Sequence, residues 1–134
     1  MVEPLSLYAG IIASLGSIIA FSEKVFEYAH KTAGANEEKK KLLLEITSMN
    51  TLLKDLEGIA KARKLKNTQD LMKSDGALQL YKSALEDAEK KLRPDNRFIK
   101  VTQRFVWYFQ QGEFDDIIQR IVRSHATFNT LLNV

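Results

Sequence analysis

PLSLYAGIIASLGSIIAFSEKVFEYAHK, residues 4–31, decides the fold, because it contains no charged side chain before Glu23 and repeats its apolar residues at helical spacing. Leu5, Tyr8, Ile12, Leu15, Ile19, Ser22 and Phe26 recur every three or four residues, and Ile11, Ile18 and Val25 form a neighbouring line at sevens. That period predicts one long amphipathic helix with a broad apolar arc. Pro4 suits its first turn, where a missing N–H costs nothing. Glu23, Lys24, Glu27 and Lys31 restore a polar face in the second half. Ala9, Gly10, Ala13, Gly16, Ser17 and Ala20 permit close backbone approach, and we read them first as core packing, with membrane helix association as the alternative.

Outward from this helix, Thr32 to Asn36 reads as a turn, with Gly34 as a stop signal and Asn36 as a start signal. A second helix to about Lys64 is predicted from Leu42, Ile46, Met49, Leu53, Leu56 and Ile59 or Ala60. Residues 65–75 interrupt the pattern, and Ser74-Asp75 offers a fresh cap for a helix to about Lys91 that buries Leu78, Tyr81, Leu85, Ala88 and Leu92. Pro94-Asp95-Asn96 is the sharpest break. Phe98, Val101, Phe105 and Phe109 fit a short helix. Gly112 then precedes a last helix from Glu113 to about Leu132, carrying Phe114, Ile117, Ile118, Ile121, Val122, His125 and Phe128 inward. The expectation is an all-α, compact bundle of four or five helices in one domain spanning residues 1–134, with no parallel sheet.

Composition narrows the function. With 45% hydrophobic and 28% charged residues the chain is an ordinary globular protein, too apolar to be disordered. The absence of cysteine removes thiol chemistry, disulfides and cysteine-based metal sites. Only His30 and His125 supply imidazole, and no phosphate loop, zinc-protease motif or dinucleotide fingerprint occurs. No catalytic, cofactor or metal site is therefore expected. The formal charge of +3 is too small for a dedicated nucleic-acid binder. Its excess falls within residues 33–66, much of it in Lys61, Arg63, Lys64 and Lys66, a run suited to anionic lipid headgroups or simply to a solvated helix end. The uncharged run Pro4 to Ser22 approaches the length needed to cross a bilayer. Glu3 stands where a secretory signal would carry a cation, so the run is not read as a cleaved leader. Phe105, Trp107 and Phe109, with Phe114, Ile118 and Phe128, are expected to anchor the core or an interface.

Glu3-Pro4-Leu5-Ser6 with the small and aliphatic first helix, the Leu42 to Leu56 and Leu78 to Leu92 segments, Arg104 to Phe109, Glu113 and Ile117 to Ile121, in that order, resemble the HeLo-like amino-terminal domain of fungal NLR-type immune receptors and incompatibility proteins. Tyr108, where many relatives place Pro, and Gln110-Gln111-Gly112, in place of a more basic link, depart from the pattern. The family is similar in turn to the helical bundle of the mixed-lineage kinase domain-like pseudokinase of necroptosis. The resemblance implies a cell-death effector, cytoplasmic at rest, that self-associates when a downstream or partner NLR or amyloid-signalling module clusters it and then acts on anionic lipids of the plasma membrane. Leu5, Tyr8, Ile11, Ile12, Leu15, Ile18, Ile19 and Phe21 form the expected inserting set, sheltered at rest by the Leu42 to Ile59 helix and the Phe105 to Leu132 region. A charge at Ile12 or Leu15 is expected to suppress membrane damage without blocking clustering. The competing class is a helical interaction module that recruits signalling proteins and never inserts.

Overall fold

A computed structural model describes the backbone of residues 4–32, 37–62, 68–92, 99–101, 104–106 and 112–132, and the side chains of residues 9–32, 37–62, 74–92 and 112–130. Within them the chain is an all-α bundle of four helices: α1 (Pro4–Lys31), α2 (Glu37–Lys61), α3 (Thr68–Leu92) and α4 (Asp115–Leu132). α1 has the expected bounds. α2 ends in a turn at Ala62, short of Lys64, and α3 begins at Thr68, so Ser74-Asp75 is an internal position of one continuous helix and not a fresh start. The predicted short helix around Phe98 to Phe109 is replaced by a small antiparallel hairpin, β1 (Ile99–Val101) with β2 (Arg104–Val106), in which Ile99 faces Val106 and Val101 faces Arg104. The β-branched Ile99 and Val101 of β1 and Val106 of β2 favour this pairing over a helix.

The helices form a square in which α1 touches α2 and α3, and α4 touches α2 and α3, while α1 and α4 lie across one diagonal and α2 and α3 across the other. Side-chain contacts fix the directions. Lys39 reaches the end of α1, Ser22 meets Asn50, and Gly16 lies beside Glu57, so α1 and α2 are antiparallel. Lys24 pairs with Glu89 while Ser17 and Gln79 share a groove, so α1 and α3 are parallel. Arg120 on the second turn of α4 meets Asp87 near the end of α3, so that pair is antiparallel. The carboxyl end of α2 and the start of α3 therefore lie beside the amino-terminal half of α1.

The core runs along the axis of the square. α1 contributes Ile11, Leu15, Ile18, Val25 and Ala29; α2 contributes Leu42, Ile46, Met49, Leu53 and Leu56; α3 contributes Leu78, Tyr81, Leu85 and Leu92; Phe114, Ile117, Ile118, Ile121 and Phe128 close it from the α4 side. Burial of these side chains, each worth about 1.5–3 kcal/mol for the larger ones, is the main favourable term. The arc of α1 is rotated from the expected stripe: Ile11, Ile18 and Val25 are at its centre, whereas Ile12, Ile19 and Phe26 are only half-buried at its margins. A helix with two adjacent neighbours buries the bisector between them, and that bisector falls on the line at sevens.

α4 begins without a capping side chain of its own. Gly112, at φ 92°, turns the chain in the left-handed region that glycine tolerates. Phe114, whose carbonyl accepts the N–H of Ile118, occupies the position where Ser or Asp would normally cap and instead fills the core. Glu38 supplies the missing acceptor from the first turn of α2: one carboxylate oxygen accepts the Phe114 N–H at 2.8 Å and the other accepts the Gly112 N–H.

Candidate functional site

The feature that sets α1 apart is its outward surface. Between Ala9 and Phe21 every exposed residue is small and uncharged: Ala9, Gly10, Ala13, Gly16, Ser17 and Ala20. These residues were expected in the core, and they are instead on the solvent side. Side-chain size does not specify the face. The larger Ile, Leu and Phe residues claim the interior, and the small ones are left outside. An ordinary surface helix presents charge on its exposed face, whereas this segment is uncharged all round. The stretch Ala9–Lys31 is long and apolar enough to cross a membrane, with about a third of it buried inside the bundle.

The expected inserting residues divide by environment. Ile11, Leu15 and Ile18 are buried, and Ile12, Ile19 and Phe21 are half-buried. Leu5 and Tyr8 lie on the first turns of α1, with side chains outside the described residues. The helices flanking this set are α2 and α3, while α4 sits diagonally opposite across the shared core; the 105–111 part of the expected cover lies outside the described side chains. Phe114, Ile118 and Phe128 are buried core residues. Phe105 falls on β2 with its side chain outside the described residues, and Trp107 and Phe109 lie outside them altogether.

Of the basic run, Lys61 is exposed and pairs with Glu57 at 3.7 Å, one helical turn back. Such an exposed pair is worth well under 1 kcal/mol and leaves the ammonium accessible. Antiparallel packing places Lys61 at the end of the bundle where α1 begins. Arg63, Lys64 and Lys66 fall outside the described residues. His30 is exposed in the last turn of α1 and stacked on Phe26, with ring centroids 6.1 Å apart, while His125 is half-buried on α4. Among the described residues no three His, Asp or Glu side chains gather as metal ligands.

Besides the Glu38 cap, polar side chains among the described residues join the helices at several places. Ser22 Oγ lies 2.6 Å from Asn50 Oδ1 and 2.7 Å from the Ile19 carbonyl; one proton serves only one acceptor, so both contacts are satisfied when the Asn50 amide presents its nitrogen to Ser22. The Lys24 ammonium is 3.3 Å from Glu89 and lies over the Tyr28 ring. Lys39 donates to the carbonyls of Thr32 at 2.7 Å and His30 at 3.4 Å, placing a cation at the negative end of α1. Arg120 joins α4 to α3, 2.6 Å from Asp87 and 3.1 Å from Ser83 Oγ, with Asp116 at 3.0 Å on its own helix. None of these links was legible beforehand, because each pairs residues whose separation depends on the helix arrangement.

Tyr81 is the least comfortable core residue. Its hydroxyl is fully buried and approaches Ser22 without reaching full hydrogen-bond geometry. Burial pushes the phenol well above its ordinary range, the contact with Ser22 opposing this only in part. Because the folded-state value is raised, the unfolded chain loses the proton first: stability is intact below about pH 10 and falls above it by at most about 1.4 kcal/mol per pH unit. Tyr81→Phe is expected to raise stability at neutral pH by about 1 kcal/mol by removing an under-satisfied hydroxyl, and to flatten the alkaline decline. Urea melts at pH 7 and pH 10.5 check both; a variant less stable than the parent at pH 7 contradicts the assignment.

Compared with protein-family models, curated proteins and solved structures, the chain finds no match.

Proposed function

We propose that the chain is a non-enzymatic, HeLo-like cell-death effector domain that self-associates when an NLR or amyloid-signalling partner clusters it, and then acts on the anionic plasma membrane through α1. The observation that carries this reading is the absence of charge from both the buried and the exposed sides of α1 between Ala9 and Phe21. In water such an outer face gains nothing from its lack of charge. In a bilayer or against another helix it removes the desolvation penalty that a charged face would incur, and the small residues allow close packing. Lys61 at the same end of the bundle favours approach to acidic headgroups. The domain is cytoplasmic at rest and joins the plasma membrane on activation.

The test uses the chain biotinylated at its carboxyl end, as monomer or clustered on streptavidin, with dye-loaded phosphatidylcholine–phosphatidylserine vesicles. Clustered protein releases dye and monomer does not. Ala13→Glu with Ala20→Glu puts carboxylates on exposed positions, so folding is retained, while each costs about 3 kcal/mol near the centre of a bilayer. Release is expected to fall at least tenfold with helicity and melting temperature unchanged. A folded, clustered double variant that leaks like the parent overturns the proposal. The second reading, a recruiting module that never inserts, is favoured by the smallness of the same exposed residues; it predicts clustering without lipid dependence.

A further inference from the structure

We propose that α1 is built in two parts hinged at Ser22, so that the segment before Ser22 leaves the bundle while the segment after it stays anchored to α2 and α3. This rests on the reading of α1 as the membrane-seeking element. Among the described residues no side chain from Ala9 to Phe21 makes a hydrogen bond or ion pair with another helix; Ile11, Leu15 and Ile18 hold that half by apolar packing alone. Among the described side chains, the polar attachments of α1 lie at Ser22 or beyond: Ser22 to Asn50 on α2, Lys24 to Glu89 on α3, and the Thr32 and His30 carbonyls to Lys39 on α2.

The distinction matters because the two kinds of contact respond differently to a bilayer. Lipid tails are as apolar as leucine, so an apolar face exchanges a protein core for lipid at little net cost. A hydrogen-bonded or charged group has no such replacement in hydrocarbon and holds its protein partner. The boundary between the two regimes coincides with a local weakness in the helix, since the Ser22 hydroxyl contacts the carbonyl of Ile19 three residues back, a back-bond that competes with the helical ladder and favours bending. The mobile part thus ends where its uncharged run ends, and the Lys24, Glu27 and Lys31 charges remain on the protein.

Two tethers and one exchange measurement test the hinge. Because the chain has no cysteine, paired substitutions are unambiguous. Gly16→Cys with Glu57→Cys, joined by a short reducible bis-thiosulfonate, pins the first part of α1; Ser22→Cys with Asn50→Cys, joined in the same way, pins the hinge. In the clustered vesicle assay the first tether is expected to reduce dye release at least tenfold, reversed by dithiothreitol, and the second to leave release within twofold of its reduced form. Hydrogen exchange of the resting monomer should show a step at Ser22, with amides of residues 13–21 exchanging at least tenfold faster than those of 26–31, where simple fraying gives a gradual slope. Blockage by the 22–50 tether, or an exchange profile without the step, overturns the hinge. If the reduced, clustered variants release no dye but the step is present, the hinge stands and the membrane reading falls.

Discussion

Glu38→Ala is expected to cost about 3 kcal/mol of stability, because this one carboxylate completes the start of a helix that cannot complete itself. Glu38 is 8% exposed, and both of its oxygens accept backbone N–H groups at the turn into α4. Hydrogen bonds to a charged group contribute about 1.5–3 kcal/mol each, and removing the carboxylate takes from the Phe114 amide an acceptor that lies in a buried setting. Two such bonds sharing one carboxylate do not add fully, which sets the estimate nearer one strong bond and part of a second. The substitution also removes a negative charge from the positive ends of α2 and α4, parallel helices whose first turns meet here. Glu38→Gln keeps one acceptor oxygen, so about half the loss is expected. Urea denaturation followed by circular dichroism separates the three proteins. A Glu38→Ala midpoint shift worth less than 1 kcal/mol would show that Gly112 and Phe114 find other acceptors and that the cap is incidental.

The same residue marks how far the sequence could be read. Glu37-Glu38 is recognisable as an acidic helix start, and the obvious partner for that charge is the dipole of its own helix. Its actual partner lies 76 residues away, and nothing local announces it. By contrast, the limits of α1, the α2 stripe from Leu42 to Leu56 and most of the inward face of α4 follow from residue spacing, since burial of one face is an intrinsic consequence of the period; Val122, expected inward, is 38% exposed, and His125 is half-buried. Where the sequence misled, a local preference met a competing one. Ser74-Asp75 has good capping chemistry, yet the helix runs through it from Thr68, with Ser74 fully buried and Ala77 and Leu78 next in the core. Phe98, Val101, Phe105 and Phe109 satisfy a helical period, while Ile99 and Val101 satisfy an alternating one, and so short an apolar run fits both. The small residues of α1 fit either face of a helix, so only the placement of α2 and α3 decides that they point outward. The membrane-seeking face is thus readable as a composition, and its orientation is not.

Leu15→Lys is expected to be more damaging than any change on the outer face of the same helix, and the contrast with Ala13→Glu, two residues earlier, separates folding from membrane action. Leu15 has no exposed surface and lies on α1, the helix flanked by α2 and α3. A lysine there loses the burial of a large apolar side chain, about 2–5 kcal/mol, and either buries an unpaired ammonium or displaces α1 to reach water. The total exceeds about 4 kcal/mol, a large share of the 5–15 kcal/mol that holds an ordinary domain together. Leu15→Lys should therefore melt far below the parent, or expose α1 to proteolysis at 25 °C, and its loss of dye release would say nothing about insertion. Ala13 is exposed, so Ala13→Glu should stay within about 0.5 kcal/mol of the parent, the usual span for surface changes, and any loss of release is then a membrane effect. Ile12, half-buried, should fall between them. Equal stability of the Leu15→Lys and Ala13→Glu proteins would mean that α1 is not seated by Leu15, and the division of this helix into a sheltered side and an uncharged outer side would collapse with it.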